Sequence, residues 1–217
     1  MDVLPSERAE GGALRGPSSV ILIVAVIASI LIAVLRGGRL ARLADLKIRQ
    51  AWLALAAVAL QYPLVYNKLH EVLVAGVPLT RLVMLASYVL LLWVLWLNRR
   101  LPGIPLVGVG MLANLAVMML NGGWMPITPE ALGRLGHLDW AATGPVAKVW
   151  AAKNVMLSRG ETRLWFLSDV FVLARPFPVP SAFSVGDVLI ALGLFWLVQW
   201  ALVGRGDRVV KPSNAPS

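Results

Sequence analysis

The chain has 217 residues, of which 59% are hydrophobic and only 14% charged, and its mean hydropathy is +0.76. A soluble domain of this length has about a quarter charged residues, so lipid is the expected solvent for most of this chain. The net charge of +9 follows from basic residues concentrated on one side of the predicted membrane topology, so it requires no nucleic-acid partner. The absence of cysteine excludes disulfides, thiolate metal sites and a cysteine nucleophile.

Five continuous apolar segments approach the ~20 residues that a helix needs to cross a bilayer. They are Ser18–Leu35, Ala51–Tyr66, Leu82–Leu97, Ile104–Leu120 and Val185–Val203. The first segment is expected to remain as an anchor, because acidic residues precede it and an arginine-rich stretch follows it without a cleavage pattern. We therefore predict an all-α integral membrane helix bundle of about five spans, with a short-helix outer cap between spans four and five.

Basic residues are concentrated on one side of this topology. The segment 36–49, the turn 98–102 and the tail after Gly204 together carry ten basic and two acidic residues, whereas the other side carries ten basic and nine acidic residues. Short basic loops stay in the cytoplasm. The N-terminus is therefore expected outside and the C-terminus inside, and a nucleic-acid role has no separate support.

The predicted domain organisation follows from these spans. It comprises a disordered N-terminal tail (1–17), a four-span membrane region (18–120), an extracytoplasmic cap with a re-entrant or interfacial segment (121–184), the final span (185–204) and a cytoplasmic tail (205–217).

The cap begins with the sequence NGGWMPITPEALG. The NGG at 121–123 suits the left-handed conformation that closes a helix. The TPE at 128–130 is typical of a helix start, with threonine as the N-cap and proline at the first helical position, and Gly136 stops this helix. Pro145–Leu157 is interpreted as a second short helix.

The rest of the cap is too short or too proline-rich to cross the membrane. Leu164–Ala174 spans only ~16 Å as a helix, so it lies in the interface or re-enters the membrane, and the sequence does not decide between these. The prolines of 176–180 force an extended segment. Ser184 is predicted to cap the final span, with Asp187 three residues on in a capping box.

Polar residues near the outer membrane surface form the candidate site. Asn121, Arg163, Asp169 and Asp187 are expected at the mouth of the bundle, and Asn114 lies in the outer half of span four. Polar groups inside a membrane are costly and are therefore functional candidates, although helix packing and an Arg163–Asp169 ion pair are simpler explanations. The alternative is a shallow polar pocket, capped by 121–184 and floored by spans four and five.

No catalytic or metal-binding motif accompanies these residues. His70 and His137 lack metal-ligand spacing, and no nucleophile elbow occurs. We therefore expect no metal, no cofactor and no catalytic residue.

Several motifs resemble a family of small bacterial multi-pass membrane proteins that is catalogued as a domain of unknown function. They are NGGWMP, TRLWFLSDV and FSVGDVLIALG, together with LRGGRLARLADLKIR and the region of Gln61, and they cover roughly 18–203. The family signatures are N-G-G-x-M-P and F-S-x-G-D-V, and the chain departs from the family at Ser168, where a glycine is usual. The resemblance implies an integral membrane protein of the bacterial envelope and implies no activity. The expected location is the bacterial cytoplasmic membrane.

These observations favour a non-enzymatic accessory or scaffold protein of the bacterial envelope. The alternative is a small-molecule or lipid binding or transport component that uses the outer pocket. The expected partners are the lipid bilayer and either other membrane proteins or further copies of the chain, with no nucleic acid.

Overall fold

The structure is a computed structural model that describes residues 17–66, 72–136, 147–148, 154–177 and 180–203. The predicted tails lie outside the described residues, apart from Pro17, and so do His70 and His137.

The described part of the chain is mostly helical. Its α-helices are α1 (Pro17–Leu35), α2 (Ala51–Tyr66), α3 (Leu79–Leu97), α4 (Ile104–Leu120), α5 (Pro129–Arg134) and α6 (Val185–Leu202). Each apolar segment that was predicted from the sequence falls on one of the five long helices. The helical class is therefore confirmed, whereas a purely α structure is not, because strands are also present.

Two of these helices, α3 and α6, are long and apolar enough to cross a membrane by length and composition. Shorter apolar stretches occur on the other three long helices, at Ile21–Leu35, Ala51–Tyr62 and Ile104–Leu120. Core helices of soluble proteins can have the same length and composition. Length and composition therefore identify α3 and α6 as candidate spans.

The long helices pack side by side in the order α1, α6, α4, α3, α2. The neighbours α2 and α3 are antiparallel, with Gln61 Nε2 donating to Ser87 Oγ at 2.6 Å. In contrast, α1 and α6 run parallel, with Ser29 Oγ donating to the carbonyl of Phe195 at 3.3 Å. This arrangement brings the segment 36–50, the turn after α3 and the end of α6 to one end of the row.

Glycines allow α4 and α6 to approach closely. A Cβ on Gly110 would lie 2.5 Å from the carbonyl oxygen of Gly186, and a Cβ on Gly193 would lie 2.6 Å from that of Gly103. Small residues at such positions let helix backbones touch. The crossing fixes the outer end of α4 against the first turn of α6, where the candidate site lies.

The cap is built mainly from short strands. The strands β3 (Met125–Ile127), β4 (Ala147–Lys148) and β5 (Asn154–Met156) form a sheet of order β3-β5-β4, in which β3 and β5 are parallel. The strands β6 (Phe171–Leu173) and β7 (Ser181–Phe183) form an antiparallel pair. A further small antiparallel pair, β1 (Leu73–Val74) with β2 (Val77–Pro78), precedes α3.

The predicted helix at Pro145–Leu157 is wrong in its described part, because 147–148 form β4, 154–156 form β5 and Leu157 lies in no helix. Met156 is fully buried in the small cap core beside Ile127 and Leu132. The pairing of β5 with β3 is made across a long stretch of chain, so the local pattern that suggested a helix did not contain it. The short-helix cap is corrected accordingly to a strand-rich cap.

The short helix α5 confirms the predicted start signal. The Thr128 side chain accepts a hydrogen bond from the Ala131 N–H at 3.2 Å, and Pro129 opens the helix. The segment Leu164–Ala174 is described as a 3-10 turn (Trp165–Leu167) followed by β6, so it contains no α-helix.

Candidate functional site

Three buried polar residues join α4 to the start of α6. Asn114 Nδ2 donates to Asp187 Oδ1 at 2.9 Å, while the Ser184 N–H donates to Asp187 Oδ2 at 2.9 Å. The Ser184 hydroxyl lies 2.9 Å from both Asp187 Oδ2 and Asn114 Oδ1, and it accepts from the Asp187 N–H at 3.0 Å. The predicted capping box is therefore confirmed, and Asn114 extends it to a second helix.

The polar groups of Asn114, Ser184 and Asp187 form hydrogen bonds with one another. Each carboxylate oxygen of Asp187 accepts a hydrogen bond, and the residue is only 5% exposed. The carboxylate also lies at the positive end of the α6 dipole, which stabilises its charge. Asn114 and Asp187 therefore connect two helices.

Asn121 forms a separate contact at the end of α4. Its Nδ2 donates to the carbonyl of Val117 at 2.7 Å and to the carbonyl of Arg163 at 2.9 Å, and its Oδ1 accepts from the Arg163 N–H at 3.0 Å. The Arg163 side chain itself is exposed. Asn121 therefore fastens the cap backbone to the helix, and the basic group of Arg163 takes no part in the contact.

The Asn121→Ala variant is expected to loosen this segment of the cap. It removes three hydrogen bonds, each worth about 1 kcal/mol, so local opening and tryptic cleavage after Arg163 should become roughly tenfold faster or more. The measurement is the rate of that cleavage by mass spectrometry. Asn98→Ala, which removes comparable bonds at the other end of the molecule, is the matched control. Equal rates in both variants and the parent would contradict the fastening role.

Asp169 is fully buried between the cap strands. Its N–H donates to the carbonyl of Pro126 at 3.1 Å, and it forms an isolated bridge with Ile127. Asp169 Oδ2 accepts from Asn154 Nδ2 at 2.7 Å. The ion pair with Arg163 that the sequence suggested is replaced by this amide contact.

The Asp169–Asn154 pair has two buried oxygen atoms without a hydrogen-bond donor. They are Asp169 Oδ1 and Asn154 Oδ1. Burial, and next the charge of Asp187, raise the pKa of Asp169 to about 7, although the bond from Asn154 opposes the shift. A proton on Asp169 removes a buried charge and supplies the donor that the pair lacks.

The structure thus divides the predicted pocket into separate contacts. Asn114 and Asp187 are bonded to each other, and Asp169 lies within electrostatic range of Asp187. Asn121 and the backbone of Arg163 form another contact. Sequence reasoning missed Asn154, since its segment was interpreted as a helix and its partner lies on a different element.

Within the described ranges, no group of three or more His, Asp or Glu side chains could hold a metal ion. Among the described acids, Asp169 has a pKa raised to about 7, and its side chain is fully buried.

The fold and the site define a mostly helical protein that has two helices able by length to cross a membrane. Buried polar residues join α4 to α6, and Asn121 fastens the strand-containing cap to the end of α4. Residues 45–199 match the family of unknown function DUF5317, and the chain belongs to that family. This confirms the resemblance to an uncharacterised family.

An uncharacterised protein of Thermotoga maritima is also similar, with 30% identity over 115 residues. The aligned region is 52% of this chain and 60% of that relative, so the chain covers less than two thirds of the relative's length. No solved structure matches the chain.

Proposed function

We propose that the protein is a five-span protein of the bacterial cytoplasmic membrane that acts as a non-enzymatic accessory or scaffold protein. The observation that carries the membrane assignment is the outward apolar surface of the long helices. Leu55 of α2 is 74% exposed, Val89 of α3 54%, Leu112 of α4 53% and Trp196 of α6 57%. Soluble monomers rarely expose large continuous apolar patches, whereas lipid accepts them.

The lengths of the helices fit a bilayer. The shortest, α2 and α4, have 16 and 17 residues, close to the lower limit of about 17 for a span. Small mismatches are accommodated by local thinning of the bilayer. Exposed Trp52, Trp93 and Trp96 lie near the same end of the row, as expected for an interfacial belt.

The orientation is supported by the packing of the helices. Their alternating directions gather the basic segments 36–49 and 98–102 at one end and the cap at the other. Under the positive-inside rule the basic end faces the cytoplasm, which puts the N-terminus and the cap outside.

The non-enzymatic role is supported by the hydrogen bonds that the candidate residues make with other residues of the chain. Asn114 and Asp187 bond to each other between α4 and α6, and Asp169 bonds to Asn154 within the cap. Asn121 fastens the cap backbone at Arg163 to the end of α4. A rigid outer cap on a membrane bundle suits the presentation of a surface to other membrane proteins. The small-molecule pocket has no comparable support at this end.

Cysteine labelling in intact cells tests the membrane assignment, because the chain has no native cysteine. With an impermeant maleimide, Gly160→Cys in the cap is expected to react in intact cells and Arg100→Cys only after permeabilisation. Leu112→Cys, whose side chain would face lipid, should react in neither condition. Reaction of Leu112→Cys at the same rate as the other two would overturn the membrane assignment, and the reverse pattern for the first two would overturn the orientation.

Purification in mild detergent, followed by mass spectrometry, tests the scaffold role. The expected result is a membrane protein that co-purifies in constant stoichiometry and is retained with Asp187→Asn. A bound solute in place of a protein partner, lost on that substitution, would favour the transport component and contradict the scaffold.

A further inference from the structure

The end of the helix row opposite the cap contains a cleft of about 470 Å³. It lies between the segment that joins α1 to α2, the turn between α3 and α4, and the last turn of α6. Its lining residues are Ala44, Asp45, Leu46, Lys47, Leu101 and Trp200.

The walls of this cleft are held in place by hydrogen bonds from both sides. Arg42 Nη1 donates to the carbonyl of Leu202 at 2.9 Å, which fixes the segment to the end of α6. The buried Asn98 side chain accepts from the Arg49 N–H at 2.9 Å and donates to the Arg49 carbonyl at 3.0 Å. These bonds fix the other side of the segment to the turn after α3, so the cleft is pre-formed.

Three exposed basic residues form the basic rim of the cleft: Lys47 lines it, and Arg49 and Arg100 lie within two positions of the lining residues Lys47 and Leu101. Asp45, which also lines the cleft, is the one acidic residue among the described residues of this end. The described basic residues there are Arg36, Arg39, Arg42, Lys47, Arg49, Arg99 and Arg100. Such an excess attracts anions.

The cleft is also apolar in part. Leu46, Leu101 and Trp200 contribute to its lining, and Ile48 next to it is 40% exposed. A free inorganic anion gains nothing from apolar walls, whereas an amphipathic anion uses both the basic rim and the apolar lining. Basic pockets between helices on the cytoplasmic side of membrane proteins suit anionic lipid headgroups.

We propose that this cleft binds an anionic phospholipid, with the headgroup phosphate at Lys47 and the basic rim and the first acyl carbons against Leu46 and Leu101. The inference rests on the proposed membrane function, because the basic end must lie at the membrane surface. Asp45 opposes binding, since its carboxylate lines the same cleft as Lys47.

Two substitutions that change the charge of the cleft in opposite directions test the proposal. The full chain is used, inserted in nanodiscs. A headgroup-labelled phosphatidylglycerol is the probe, and phosphatidylcholine is the comparison lipid. Lys47→Gln is expected to weaken phosphatidylglycerol binding about fivefold, because one basic group at a membrane surface contributes about that factor. Asp45→Asn should strengthen binding by a similar factor. Arg163→Gln, which removes an exposed charge at the opposite end, should leave it unchanged.

The outcomes separate this proposal from the membrane assignment. Equal binding of the two lipids, or no opposite effect of Lys47→Gln and Asp45→Asn, would overturn the lipid site in a protein that cysteine labelling has shown to be inserted. Displacement of the probe by inorganic phosphate at the same concentration as by unlabelled lipid would overturn the choice of a lipid ligand. If Leu112→Cys reacted in the labelling experiment at the same rate as the other two variants, the membrane assignment on which this proposal rests would itself be overturned.

Discussion

Gly110→Ala is expected to destabilise the packing of α4 on α6 by about 1–3 kcal/mol, as overpacking in a tight interface does. The new methyl group would lie 2.5 Å from the carbonyl oxygen of Gly186 and 2.8 Å from Ile190 Cγ1. The backbones cannot separate freely, because the bonds of Asn114 with Ser184 and Asp187 hold the helices together only one turn away. The clash is therefore relieved only by breaking part of that network.

Gly108→Ala is the matched control for this prediction. It makes the same change in the same helix, but the nearest atom to its new methyl group is Leu95 Cδ1 at 4.0 Å. Alanine is a better helix former than glycine by about 1 kcal/mol, so this variant should be as stable as the parent or more stable. Thermal unfolding in detergent, followed by tryptophan fluorescence, measures both. Equal midpoints for the two variants would refute the close glycine contact.

The stability of the cap is expected to depend on pH through Asp169. Burial raises the pKa of its carboxyl to about 7 from an ordinary value of 3.8, so the folded cap holds the proton more tightly than the unfolded chain does. This stabilisation is fully present below about pH 4 and is lost as the pH rises towards 7. The contribution of this proton to the free energy of unfolding of the cap is on the order of a few kcal/mol, and it is lost completely above pH 7.

Asp169→Asn should remove this dependence, because an amide has nearly the same shape and does not titrate. Hydrogen exchange of the Asn154 and Asp169 amides between pH 4 and 8, corrected for intrinsic exchange, measures the opening free energy of the cap. The parent should lose protection as the pH rises, and the variant should not. Asp45→Asn, which alters an exposed carboxyl at the other end, is the control. A parent profile as flat as that of Asp169→Asn would show that Asp169 does not carry a proton in the cap.

The helices and their caps could be predicted because their signals are local. The apolar runs define the five long helices to within about three residues, and Thr128 and Ser184 act on groups only three positions away. Capping and apolar length depend on neighbours in the sequence. Predictions of these features therefore do not depend on tertiary contacts with distant parts of the chain.

The strands of the cap could not be predicted in the same way. They have two or three residues each, and β5 is defined by a parallel partner about 30 positions earlier in the chain. Asn154 gains its role only through this pairing, which places it beside Asp169. Its own surroundings in the sequence contain no sign of a buried amide.

The contacts of the candidate residues could be predicted only in part from the sequence. Asn114 and Asp187 are candidates in the sequence as costly polar groups, and in the structure they are bonded to each other at 2.9 Å. Arg163 was expected to use its charge, but its backbone makes the contact and its guanidinium is exposed. Residue type alone cannot show whether a side chain or its peptide group is used.

The position of α6 between α1 and α4 has a consequence for biosynthesis. Of the described long helices it is synthesised after the other four, yet it provides the most extensive packing partner of α1. The hairpins α2–α3 and α3–α4 can assemble as soon as they are made, whereas α1 is without its partner until about 150 further residues have followed. Synthesis of α6 therefore completes the packing of the row, and a chain that stops before residue 185 leaves two incomplete surfaces for quality-control proteases to recognise.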